Sequence, residues 1–107
     1  MPAAPKQGKA PNRTETEYGR ILVAQNAGCE IKYEAYTLKL AAGLRYIPDW
    51  AVCHPDGSVD FYEVKGRFIF SRALHKPKMA ATVFHWHRFF LAQKIGHEWT
   101  VTEIPKI

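Results

Sequence analysis

The segment HPDGS, residues 54–58, stands between two runs rich in β-branched and aromatic residues, RYIPDWAVC (45–53) and VDFYEVK (59–65). Proline, aspartate and glycine in that order suit a type I turn followed by a left-handed glycine, so the two runs are expected to fold back as an antiparallel hairpin. A three-residue loop over Pro55, Asp56 and Gly57 pairs His54 with Ser58. The ladder then runs Cys53 with Val59, Ala51 with Phe61 and Asp49 with Glu63. Such a loop constrains register above all, because a slip of one residue sends every side chain of the strand to the other face.

That register has an electrostatic consequence. Side chains alternate along a strand, so Glu63 and Lys65 share one face while Tyr62 and Val64 occupy the other. Directly opposed residues have Cβ atoms about 4.5–5.5 Å apart, and two carboxylates so placed repel. A hard divalent cation such as Mg²⁺, which binds through one or two carboxylates plus water and phosphate oxygens, would compensate Asp49 and Glu63. Lys65 would add a positive charge on the same face. A loop of two or four residues would instead put Asp49 and Glu63 on opposite faces, and Pro48, lacking a donor, distorts the strand beside Asp49. The tripeptide by itself also suits an exposed Glu-x-Lys pair on a solvated sheet face.

The remaining elements are read from periodicity and punctuation. Thr14 with Glu17 three residues on resembles a capping box, and Tyr18, Ile21, Leu22 and Gln25 follow at helical spacing, predicting a helix over 14–27. EIKYEAYTLKL (30–40) reads as one strand, closed by Ala41 to Gly43. Pro77 belongs in a first helical turn, so a short helix is expected from about Lys76, with Met79, Ala80, Val83 and Phe84 inward. HRFFLAQ and EWTVTEI, separated by KIGH, are two more strands. The resulting order is α-β-β-β-α-β-β, a mixed α/β or α+β fold around a single sheet. Residues 1–13, rich in Pro and basic residues without an apolar core segment, are expected to be a flexible tail preceding one domain over 14–107.

With 107 residues the chain has room for one small core. No apolar run approaches the roughly 20 residues that span a bilayer, so no membrane partner is expected. Cys29 and Cys53 are too few for a disulfide framework; free, buried thiols in a reducing cytoplasm are the expectation. His85 and His87, in HWH on a strand, could contribute to a zinc module if further ligands arrived from elsewhere. The formal net charge is +5, and from Val64 to His97 there are seven Lys or Arg and no acid. Interleaved with Phe68, Phe70, Phe84, Trp86, Phe89 and Phe90, that block suits a polyanion-binding surface, or a solvated basic face over an aromatic core.

YIPDW followed by YEVKG resembles the PD-(D/E)xK nuclease superfamily, with Pro48 and Asp49 matching its first motif and Glu63, Val64 and Lys65 its second, thirteen residues separating the acids. More narrowly, TETE, YIPDW, YEVKG and the basic helix after them resemble small phage-encoded endonucleases related to phage Holliday-junction resolvases. The resemblance extends over most of residues 14–104 and implies a restriction-endonuclease-like core. It implies that Asp49, Glu63 and the Val64 carbonyl hold Mg²⁺, with Mn²⁺ able to substitute, and that Lys65 positions or activates the attacking water. Glu17 would be the acid many members supply from the first helix, unless it serves only to cap that helix. Arg67, Arg72, Lys76 and Lys78 would contact DNA phosphates.

The function so implied is structure-selective or weakly sequence-selective hydrolysis of DNA, with branched DNA as the favoured substrate. A homodimer is plausible for an enzyme acting on both strands of a junction, in the host cytoplasm if phage-encoded. The competing expectation is a nucleic-acid-binding or phage accessory protein that keeps the fold without turnover.

Overall fold

The computed structural model describes residues 10–69 and 71–106. It is an α+β fold in which a mixed five-stranded sheet carries helix α1 on one face and, on the other, helix α2 together with a two-stranded ribbon. Helix α1 spans Arg13–Gln25 and α2 spans His75–Val83. The strands are β1 (Glu30–Tyr33), β2 (Leu38–Lys39), β3 (Arg45–Tyr46), β4 (Trp50–Cys53), β5 (Val59–Lys65), β6 (Arg88–Ile95) and β7 (Glu98–Glu103). The large sheet has the order β1-β4-β5-β6-β7, with β5 and β6 parallel and the other neighbours antiparallel. Strands β2 and β3 pair separately, so the expectation of a single sheet is corrected to two.

The hairpin has the register that its loop demands. His54 N–H donates to the Ser58 carbonyl at 2.9 Å, Gly57 N–H donates to the His54 carbonyl at 3.0 Å, and Gly57 takes φ 91°. Cys53 pairs with Val59 and Ala51 with Phe61. Strand β5 therefore divides its side chains cleanly. Val59 and Phe61 pack with Leu38, Leu40, Tyr46, Ala80, Ala81 and Phe89 on the α2 side. Tyr62 and Val64 pack with Tyr18, Leu22, Val52 and Ala92 on the α1 side.

The long strand expected over 30–40 is broken. Glu34 adopts φ 46°, a left-handed conformation that no strand can carry, and the chain leaves the sheet there to form the β2/β3 ribbon. RYIPDWAVC is likewise divided by Pro48, so β4 begins only at Trp50. Helix α1 starts a residue earlier than expected and stops earlier, and its cap is Asn12. The Asn12 side chain accepts from Glu15 N–H at 2.8 Å while Glu15 Oε1 accepts from Asn12 N–H at 3.0 Å. The capping box is thus Asn12 with Glu15, not Thr14 with Glu17, and Arg13 belongs to the helix; residues 1–9 of the expected tail lie outside the described residues.

Helix α2 is preceded by a 3₁₀ turn over Ser71–Leu74 and has Pro77 in its first turn, as a missing N–H requires. It buries Pro77, Ala80 and Ala81, whereas Val83, expected inward, is exposed. His85, Trp86 and His87 lie in the turn between α2 and β6 instead of on a strand. His87 packs edge-on to Phe61, with its Nδ1 3.1 Å from the Val59 carbonyl. Neither cysteine is in a disulfide, and both are half-buried, less enclosed than expected.

Candidate active site

Asp49, Glu63 and Lys65 converge where β4 begins and β5 ends. Asp49 and Glu63 are buried, with 4% and 8% of their surface exposed. Burying two acids in so small a domain is costly unless each finds hydrogen-bond partners. Asp49 sits at the bend before Trp50. Its carbonyl accepts from Glu34 N–H at 2.9 Å, and its carboxylate Oδ2 accepts from Val64 N–H at 2.8 Å, one residue beyond Glu63. Glu63 Oε1 accepts from the Tyr46 hydroxyl at 2.6 Å, and Lys65 Nζ lies 3.0 Å from Glu63 Oε2.

These contacts change the expected picture in one respect. The two acids are gathered at a common spot, but a tyrosine hydroxyl, a backbone N–H and an ammonium already offset their charge. Val64, whose carbonyl is the expected ligand, also donates its N–H to Asp49. Pro48 has no N–H to give a ladder, β4 begins only at Trp50 after a bend at Asp49, and the Asp49 carboxylate takes up the Val64 N–H of β5. The Tyr46 phenol records the concentration of negative charge. Burial pushes its pKa well above the ordinary value, and the charges of Glu63 and Asp49 push it further.

The first-helix acid at this end of the sheet is Glu15 rather than Glu17. Glu15 is buried, its Oε1 accepts from the Tyr33 hydroxyl at 2.7 Å, and its carbonyl accepts from Trp50 Nε1 at 3.0 Å. Burial raises the Tyr33 pKa, as do the hydrogen bond to Glu15 and the nearby charges of Glu15, Glu34 and Asp49. Asp49 is therefore within electrostatic reach of both the Tyr33 and the Tyr46 phenols. Glu17, two residues on, is turned by 200° of helical rotation to another side of α1. There it accepts from Lys94 Nζ at 2.6 Å and Trp99 Nε1 at 2.9 Å, which together lower its pKa. The signal that could have found Glu15 is Asn12, a stronger N-cap than Thr14 at the same three-residue spacing.

A cleft of about 530 Å³ opens over Glu63, between the β3 ribbon and the start of α2. Tyr46 and Glu63 line it from the sheet side; Arg72, His75, Lys76 and Met79 line it from the helix side. Arg72 and Lys76 are exposed and line the same cleft as the buried Glu63. Lys78, on the same helix, does not line it, and Arg67 lies exposed in the loop after β5, where its carbonyl accepts from Gln93 Nε2 at 2.7 Å. Among the described residues no group of three or more His, Cys, Asp and Glu is placed to hold a metal ion. His85 and His87 have no such set around them.

No helix among the described residues is long and apolar enough to cross a membrane. No protein-family model and no curated protein matches the chain. Among solved structures it is similar to the crystal structure of SSO0001, at 15% sequence identity and a TM-score of 0.50. The match covers 86% of this chain and 48% of that one, so the chain spans about half the length of its structural neighbour. At this identity the likeness concerns the fold.

Proposed function

We propose that the chain is a metal-dependent DNA endonuclease built on a PD-(D/E)xK-like core, with Asp49, Glu63 and Lys65 as its centre. The observation that carries this reading is the cleft: buried Glu63 lines one wall, with Lys65 paired to it and buried Asp49 bound to the next backbone N–H behind it, and two exposed cations, Arg72 and Lys76, line the other. A phosphodiester needs both halves of such a site. Cations on the rim hold the backbone without reading its sequence, and acids on the floor serve a divalent ion. The order of elements supports it too: setting aside the β2/β3 ribbon and the 3₁₀ turns, the chain reads α-β-β-β-α-β-β.

Asp49 and Glu63 supply two carboxylates, which is what Mg²⁺ takes from a protein when water and a substrate phosphate complete its shell. When bound, the ion would lower the pKa of a coordinated water and polarise the phosphate. The protein's own groups prepare that site. The Val64 N–H and the Tyr46 hydroxyl fix the orientation of Asp49 and Glu63, and Lys65, freed from Glu63 by a competing cation, would be left to stabilise negative charge developing on phosphate. Arg72 and Lys76 position the strand. Weakly selective or structure-selective cleavage is the expected outcome, with branched DNA the first substrate to try.

A second reading is favoured by the contacts that both carboxylates already make: a nucleic-acid-binding protein on the same fold, without turnover. Digestion of linear duplex, single-stranded and four-way DNA in Mg²⁺ or Mn²⁺ separates the two. Cleavage that disappears in EDTA and in Lys65→Ala is expected; binding of DNA without cleavage of any substrate would establish the second reading in place of the first.

A further inference from the structure

On the α1 side of the sheet, away from the cleft, Cys29, His54 and Asp60 are arranged in series. Cys29 Sγ lies 3.4 Å from His54 Nδ1, and His54 Nε2 lies 2.8 Å from Asp60 Oδ2. Strand pairing produces this alignment. Glu30 is opposite Cys53, so the next positions outward, Cys29 and His54, meet at the end of β1 and β4. Asp60, opposite Val52 on β5, comes in from the other side of His54. Asp60 is buried at 5% exposure and is gripped by Arg88, Nε to Oδ1 at 3.0 Å and Nη2 to Oδ2 at 2.8 Å. Cys29 is half-buried and the His54 imidazole partly exposed, so the near end of the series lies toward the surface.

The direction of the hydrogen bonds follows from the carboxylate. An ionised Asp60 can only accept, so His54 carries a proton on Nε2, and in the neutral ring the Nδ1 lone pair faces the Cys29 thiol. A thiol facing a base that a third group orients is the arrangement that activates a nucleophile. We propose that Cys29 is a nucleophilic thiol with His54 as its base and Asp60 as the residue positioning that base, a site for reversible mixed-disulfide formation with low-molecular-weight disulfides. The Cys29 proton passes to His54 Nδ1, and the thiolate attacks one sulfur of the disulfide. A new S–S bond forms as the old one breaks, and the departing thiolate leaves with the electron pair and takes up a proton. Cys53 cannot resolve the product within the molecule. It packs with the α2-side cluster, its sulfur 3.5 Å from the Tyr36 hydroxyl, whereas Cys29 packs with the α1-side cluster. The mixed disulfide therefore lasts until an external thiol removes it.

Cys53 is also the internal control for the test. The full chain is reacted at neutral pH with an aromatic disulfide, dithiobisnitrobenzoate, as Cys53→Ser (retaining Cys29) and as Cys29→Ser (retaining Cys53). Cys29 is expected to react at least about tenfold faster than Cys53, since an unassisted thiol is only a few per cent ionised at neutral pH. Adding His54→Asn to Cys53→Ser should remove that advantage while the melting temperature shows the fold intact. Equal rates for the two thiols, or a fast Cys29 that survives His54→Asn, would overturn the proposal. Should His54→Asn not fold, Cys53→Ser alone decides by comparison of its native and urea-unfolded rates: acceleration in the native state supports an activated Cys29, and a native rate at or below the unfolded one refutes it.

Discussion

At the scale of single residues, the site is a problem in keeping acids buried. Glu63 is held by a phenol and an ammonium, and the phenol is the more enclosed of the two, since Tyr46 is 7% exposed. A hydrogen bond to a charged group is worth about 1.5–3 kcal/mol. Tyr46→Phe should therefore cost about 2 kcal/mol of unfolding free energy in urea titration, and a loss below about 0.5 kcal/mol would mean that Lys65 alone suffices. Asp60 provides a test in pH. Burial raises its pKa, but the hydrogen bonds and charges of Arg88 and His54 outweigh burial and leave it lowered. A group with a depressed folded pKa contributes stability that is complete above its unfolded value, about 3.9, and is lost as pH falls through the folded one. Wild-type stability should accordingly drop on acidification below about pH 4, and Asp60→Asn should flatten that limb; an unchanged acid slope would show that Asp60 is not responsible for it.

At the scale of elements, α1 is seated by one close approach. Gly19 faces Trp50, and an added Cβ would fall against the indole, 2.6 Å from Cη2. The indole has little room to yield, because its Nε1 donates to the Glu15 carbonyl and its ring packs on Tyr33 at 5.1 Å. Gly19→Ala should destabilise by about 1–3 kcal/mol despite alanine's better helix propensity, measured as a lowered denaturation midpoint. A stabilised variant would show that α1 can lift off β4. Because Glu15 and Trp50 share this contact, displacement of α1 should also disturb the buried acids. The hairpin was legible because turn chemistry is local: Pro55, Asp56 and Gly57 specify the loop, and the loop specifies Ala51 opposite Phe61. The cap of α1 is ambiguous in the sequence because Thr14 and Glu17 satisfy the same local rule as Asn12 and Glu15, and only the fold selects the latter pair.

At the scale of the molecule, the sheet separates two chemistries: Glu63 with its basic cleft on the α2 face, and the Cys29–His54–Asp60 series at the end of the α1 face. Arg72, in the 3₁₀ turn, and Lys76, on α2, rim the cleft, and Lys78 adds a third cation on α2, within a chain of net charge +5. If these three neutralise phosphates, DNA affinity should fall with salt on a log–log slope of about −2.7, roughly fortyfold for a fourfold rise in salt concentration. Fluorescence anisotropy across a salt series checks this, and a flat response would remove the proposed role of the basic rim. Lys76→Ala should lower the slope by about one without selecting among DNA sequences.

What residue order alone determined is what short-range chemistry controls: the turn at Pro55–Gly57, the parity of Glu63 and Lys65, the place of Pro77 in a first helical turn, and the excess of basic residues after Val64. The tertiary structure decided which acid of α1 is buried against Tyr33 and Trp50, that Tyr46 and the Val64 N–H stabilise the buried pair, and that Cys29 meets His54. Those contacts join residues far apart in the chain, and they depend on helix rotation, strand breaks at Glu34 and Pro48, and the docking of α1 on β4. Periodicity reports which face a residue shares, whereas only packing chooses its partner.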